Sequence, residues 1–346
     1  MKKRELNYDI LRAAAAALVV LAHVSAAFLE TFIWDYWDGL PGNHPLYSVI
    51  YTTLGRFTVP VFFMLSGAFV LDGRKAENAR TFYRKSWDAI GKTGAFAMAF
   101  GMLYSLFCGL MLDHTGIMPV LRGMMNGVPF YHLWYLPVLL GIYLLAPVIA
   151  KIRADVSDRD FRNISWFVLL AGCAALWLNP PVEMHWNIGE SLCYAGYFMI
   201  GDVLRRDVKQ KKGGLPLVIA GFLLEIGAAY LLYRSILAGN DRMLGEHRYI
   251  LSYAPATVAA SVLIFSGVSR MECRTDPGIF SRATFGIYLS HAFILDVILR
   301  VSRALYGQRW LTHLDARFAI PAVWVGVYLL SVSVSELLHR LRTAGK

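Results

Sequence analysis

DILRAAAAALVVLAHVSAAFL, the stretch from Asp9 to Leu29, is apolar enough to cross a bilayer, yet it carries an arginine near one end and a histidine well inside. An α-helix advances about 1.5 Å and turns about 100° per residue, so the step from Arg12 to His23 gives roughly 16 Å of rise and only about 20° of residual rotation. Both polar groups therefore share one face, with Arg12 at the cytoplasmic rim and His23 deep in the membrane. Lipid is a poor solvent for either, so that face is expected to look into a bundle interior or a water-filled cavity. The plainer alternatives are an Arg12 that snorkels to the interface and a His23 that only hydrogen-bonds a neighbouring helix.

The rest of the chain repeats this apolar character. Hydrophobic residues make up 57% of the sequence and aromatic ones 14%, a composition of integral membrane proteins. The net charge of +10 does not point to nucleic acid, because the basic residues lie in short segments between apolar runs. Windows of spanning length recur at 9–29, 47–71, 91–112, 132–150, 163–179, 191–204, 215–237, 249–268, 281–300 and 318–338, which predicts an all-α polytopic bundle of about ten transmembrane helices. With Met1 in the cytoplasm, the inner segments hold 24 of the 34 Lys and Arg residues. That asymmetry places both termini in the cytoplasm, in a single integral-membrane domain over 1–346. Val24, Ser25 and Ala26 loosely fit a secretory cleavage site, but the first span is expected to stay as an anchor, since cleavage would discard both Arg12 and His23. Cys108, Cys173, Cys193 and Cys273 show neither metal-ligand nor disulfide spacing.

Further polar residues fall inside other spans. GRFTVPVFFMLSG, Gly55 to Gly67, puts Arg56 far from either interface, and Pro60 denies the Arg56 carbonyl its helical N–H partner. The arginine is expected either in a cavity or as a structural partner of Asp202, Glu225 or Asp296. YHLWYLPVLLGIYLLAP, Tyr131 to Pro147, is expected to hold His132 and Trp134 at the outer mouth, where the imidazole meets solvent. FGIYLSH places Tyr288 and His291 three residues apart on one helical face at middle depth. Polar groups converging at the midplane are what a bundle-core active site or transport site contains. Trp34 and other aromatic residues at the outer boundary anchor the interface or face a carbohydrate. Neither a Walker loop, a dinucleotide fingerprint nor a zinc signature is present. An anionic ligand would be held by basic residues of the inner face, of which Arg74, Lys75, Arg80, Arg84 and Lys85 form the densest group.

Taken in order, LRAAAAALVVLAH, RFTVPVFFMLSG, FYHLWYLPVLLGIYLLAP and SRATFGIYLSH resemble the segments of integral-membrane acyltransferase family 3 over essentially the full chain. The likeness is greatest to members that O-acetylate bacterial surface polysaccharides. It implies an inner-membrane enzyme that takes an acetyl group from cytoplasmic acetyl-CoA, without a metal, and places it on a hydroxyl of an extracytoplasmic or lipid-linked glycan. The family's Arg-x10-His pattern falls on Arg12 and His23, and its second-span arginine on Arg56; its cytoplasmic Arg-x2-Arg pair has no clear match, since Arg80 and Arg84 are separated by three residues. With no soluble domain following the membrane part, the bundle is expected to perform the transfer alone or with a partner. On this reading Arg12 and the basic residues of 74–85 hold the donor's phosphates, His23 is the general base, and Arg56 stabilises the oxyanion. Trp34, His132, Trp134, Tyr288 and His291 bind the acceptor, the last two also being candidates for proton relay. The rival reading is a multispanning transporter or flippase for a polysaccharide precursor.

Overall fold

A computed structural model describes residues 5–30, 44–71, 101–107, 131–178, 188–208, 212–238, 251–307 and 314–344, with isolated positions at 87, 91, 99, 118 and 122. The helices are α1 (Leu6–Glu30), α2 (His44–Leu54), α3 (Thr58–Val70), α4 (Tyr135–Asp155), α5 (Asp158–Leu178), α6 (Ile188–Arg206), α7 (Gly214–Leu237), α8 (Pro255–Ser269), α9 (Ile279–Arg282), α10 (Thr284–Tyr306) and α11 (Ala316–Ala344). A 3₁₀ turn, Tyr131–Trp134, leads into α4. Among the described residues there is no strand.

Seven segments are long and apolar enough to cross a membrane: Leu6–Leu29, Leu46–Val70, His132–Asp155, Asp158–Leu178, Gly214–Leu237, Thr284–Tyr306 and Ala316–Leu341. They match seven of the ten expected windows. Of the other three, 191–204 forms α6, whose C-terminal end carries Asp202, Arg205 and Arg206. Window 249–268 contributes the 15-residue α8, because a turn occupies 251–254 and Pro255 opens the helix. Window 91–112 lies mostly outside the described residues.

The first helix is the centre of the bundle. It lies against α2, α3, α8, α9, α10 and α11. Ala16, Val20, Leu21, Val24 and Phe28 on one side of it pack with Ile287, Leu295, Ile320 and Val327 of α10 and α11. Tyr8, Leu11 and Ala15 join a second core built from α3, α4, α5, α6 and α8. Trp324 of α11 donates its indole N–H to the Ala17 carbonyl, 2.8 Å away, and fixes α11 along α1. Bundle helices gain little from burying apolar surface away from lipid, so close backbone approach carries much of the packing. Gly67 of α3 and Gly201 of α6 show this: a Cβ on either would overlap the backbone of Phe198 or Met64 on the opposite helix.

The second span is two helices, not one. Gly55, Arg56 and Phe57 form turns between α2 and α3, and Pro60 falls in the first turn of α3, where a missing N–H costs nothing. At the end rich in Lys and Arg, the helices are tied by polar contacts. Asp202, fully buried, accepts from Arg153 at 3.1 Å and Arg206 at 2.7 Å, and Arg205 pairs with Glu5.

Candidate active site

Arg12 and His23 line one cavity of about 490 Å³ inside the bundle. Its walls come from α1, α3, α4, α9, α10 and the 3₁₀ turn, and most are apolar: Ala16, Val19, Val59, Phe62, Leu136 and Phe285 among them. Polar groups gather at two places. Arg12, Ser281, Arg282 and Thr284 are one group, next to the basic end of α1 and α9; His23, His132, Tyr135, Tyr288 and His291 are the other. Arg12 and His23 thus line the same cavity, as their shared face of α1 leads one to expect.

The imidazoles form a row. The His291 ring centroid lies 5.1 Å from that of His23 and 5.1 Å from that of His132. Tyr288 packs 5.6 Å from His132 and 5.7 Å from Tyr135, and its hydroxyl donates to the His132 carbonyl at 2.9 Å. This bond pins the 3₁₀ turn to α10. His132 was expected at a solvated outer mouth; it is instead 4% exposed, because the 3₁₀ turn carries the ring inward onto His291. The Nδ1 of His291 lies 2.8 Å from the carbonyl of Ile287, one turn earlier in α10. Among the described residues, no three His, Cys, Asp or Glu side chains are disposed to hold a metal ion.

Arg12 is held by Asp9 at 2.8 Å and stands 5.8 Å from the Phe69 ring. Arg282, which the sequence reading did not single out, is exposed at the same end of the cavity and has no carboxylate partner among the described residues. In a continuous helix the nine residues from Arg282 to His291 would put them on opposite faces, about 180° apart. The turn at Ala283, between α9 and α10, lets both reach the cavity. Tyr135 was also passed over; it stands three residues after His132, a spacing that becomes meaningful once the imidazole points inward.

Arg56 sits at the α2–α3 break and is not among the cavity-lining residues. Its charge reaches His23 on one side and Glu225 of α7 on the other. Of its three expected partners, Asp202 is taken by Arg153 and Arg206, and Asp296 accepts from Arg300 at 2.8 Å and Tyr104 at 2.9 Å. Glu225 is near enough to feel the Arg56 charge, on the side where Phe57 meets Phe222 edge-on at 5.4 Å, but its carboxyl oxygens have no hydrogen-bond partner among the described residues. Trp134 lines the cavity. Trp34, Arg74, Lys75, Arg80, Arg84 and Lys85 lie outside the described residues.

Fold and cavity together define a multi-pass helical membrane protein with a chamber that joins cations at one end to imidazoles within. The chain belongs to the acyltransferase domain family, whose sequence model matches residues 5–340. It therefore carries a membrane acyltransferase domain over those residues. It is also 29% identical over 163 residues to an amino-acid racemase of Enterococcus faecalis, an overlap of 44% of this chain and 20% of that protein. The chain thus spans about a fifth of that relative's length. No solved structure matches the chain.

Proposed function

We propose that the protein is an O-acyltransferase of the bacterial inner membrane that moves an acetyl group from cytoplasmic acetyl-CoA to a hydroxyl of an extracytoplasmic or lipid-linked glycan. The observation that carries this reading is the single cavity shared by Arg12 and His23. A thioester on a long, flexible arm suits such a chamber. The nucleotide phosphates stay with Arg12, Arg282 and the basic residues of 74–85, while the apolar walls accept the arm and leave the acyl group beside the imidazoles.

His23 takes the proton of the acceptor hydroxyl. An imidazole suits the task because its ordinary pKa of about 6.5 lets it accept and return a proton near neutrality. Arg56, behind the wall but within electrostatic range of His23, favours the negative charge that develops on the thioester oxygen. His132, Trp134, Tyr288 and His291 bind the acceptor, with Trp34 contributing a stacking surface. The racemase likeness covers too little of that protein to bring its activity here.

The test is a thiol assay on purified protein with acetyl-CoA and candidate glycans. Release of free CoA thiol that depends on the glycan, with an acetyl increment on the glycan by mass spectrometry, is the expected result. A protein that moves the glycan across vesicles and releases no thiol is a transporter instead.

A further inference from the structure

The cysteines have no disulfide spacing in the sequence, yet the fold brings two of them together. Cys173 of α5 and Cys193 of α6 are 20 positions apart in the chain, and their Sγ atoms lie 3.5 Å apart, one thiol donating to the other. Both are free thiols and both are buried, Cys173 at 8% exposure and Cys193 at 1%. Helix packing explains the contact. A Cβ on Gly172 would stand 2.3 Å from the backbone nitrogen of Cys193, and one on Gly196 would stand 2.4 Å from the Cα of Leu169. The two backbones therefore touch beside the thiols and again one turn away, and this close approach sets the cysteine side chains face to face.

Their depth matters to their chemistry. Cys173 lies five residues before the end of α5 at Leu178, and Cys193 lies five residues after the start of α6 at Ile188, about 8 Å of helical rise in each case. The opposite ends of the two helices carry Arg159 and Arg162, and Arg205 and Arg206, which the charge asymmetry assigns to the cytoplasm. On that topology the thiols stand near the extracytoplasmic surface, the side on which disulfides form and persist.

We propose that Cys173 and Cys193 are a disulfide-forming pair, a modification site at which an extracytoplasmic disulfide oxidant clasps α5 to α6. Cys173, the more exposed of the two, loses its thiol proton, and its sulfur attacks the oxidant. The oxidant's S–S bond breaks, and one half leaves and is protonated to a thiol. The Cys193 sulfur, deprotonated in turn, attacks Sγ of Cys173 and displaces the second half as another thiol. Two protein thiols are oxidised, and one oxidant disulfide is reduced to two thiols. Closing the pair to an S–S bond of about 2.05 Å asks for about 1.5 Å of approach, shared between two side chains. The clasp stands behind the cavity wall, because Tyr194, next to Cys193, packs 5.6 Å from the Trp134 ring that lines the cavity. The pairing is independent of the acetyl-transfer reading.

The test uses dithiodipyridine, a small apolar disulfide, on the full-length protein in detergent after reduction and removal of the reductant. Remaining thiols are blocked with N-ethylmaleimide, and the protein is digested without reduction for mass spectrometry. The expected result is a joined peptide pair containing Cys173 and Cys193, with near-complete loss of the two separate peptides. In Cys193→Ala, Cys173 is expected to keep one thiopyridyl group, since no second thiol displaces it. Wild-type protein in which both cysteines keep thiopyridyl groups, or both emerge blocked by maleimide, overturns the inference. Should Cys193→Ala fail to purify, the wild-type digest decides alone, because the joined peptides identify both partners.

Discussion

At the residue scale, chemistry rests on side chains that a lipid environment would reject one by one and that the cavity accepts together. His23→Ala is expected to lower glycan-dependent thiol release by about 100-fold to 10,000-fold while the protein still inserts and purifies; activity close to wild type would remove His23 from the mechanism. Arg282 offers a separate check, because it carries a charge that no described carboxylate answers. Arg282→Ala is expected to raise the KM for acetyl-CoA about tenfold and leave that for acetyl-pantetheine, which lacks the nucleotide, unchanged. An equal rise for both donors would mean that Arg282 shapes the cavity and does not hold phosphates. Arg12 and His23 were legible in the sequence because α1 is continuous, so spacing converts directly into a shared face. Arg282 and His132 were not. Each lies beside an interruption, the turn at Ala283 or the 3₁₀ turn at 131–134, where uniform helical rotation no longer applies.

At the scale of elements, hydropathy located most helices and misjudged how they are cut. Apolar runs are indifferent to a break, so 47–71 reads as one span although Gly55–Phe57 divides it into α2 and α3. Pro60 hinted at this, and the chain turns just before it. Nothing in the pattern revealed which helices touch. Gly67 and Gly201 decide that for α3 and α6 by letting the two backbones meet, and the information lies in the pairing, not in either segment. Gly67→Leu must push α3 off α6; overpacking of this kind costs about 1–3 kcal/mol, read as a lower thermal transition in detergent, whereas the open position Gly141 is expected to accept Ala with little change.

At the scale of the whole molecule, charge sets orientation and then locks it. The basic inner segments predict both ends in the cytoplasm, so reporters fused at either terminus are expected to give the cytoplasmic signal; one exported reporter would overturn the even number of spans. The same end contains the Arg153–Asp202–Arg206 cluster, which joins α4 to α6. Arg153 also pairs with Asp158 at the start of α5, but Asp202 is its buried partner and is shared with Arg206. Asp202→Asn is expected to cost about 3–5 kcal/mol, measured as loss of monodisperse protein on heating.

The Asp9–Arg12 pair bears on the catalytic cycle as a whole. A guanidinium already facing a carboxylate grips a polyanion less firmly than a bare one, and spent CoA carries the same phosphates as the fresh donor. On the acetyl-transfer reading proposed above, Asp9 would keep product from lingering and let the chamber refill. Asp9→Asn is expected to tighten hold on both molecules, lowering KM and slowing steady-state throughput together, so that the stronger binder becomes the slower enzyme.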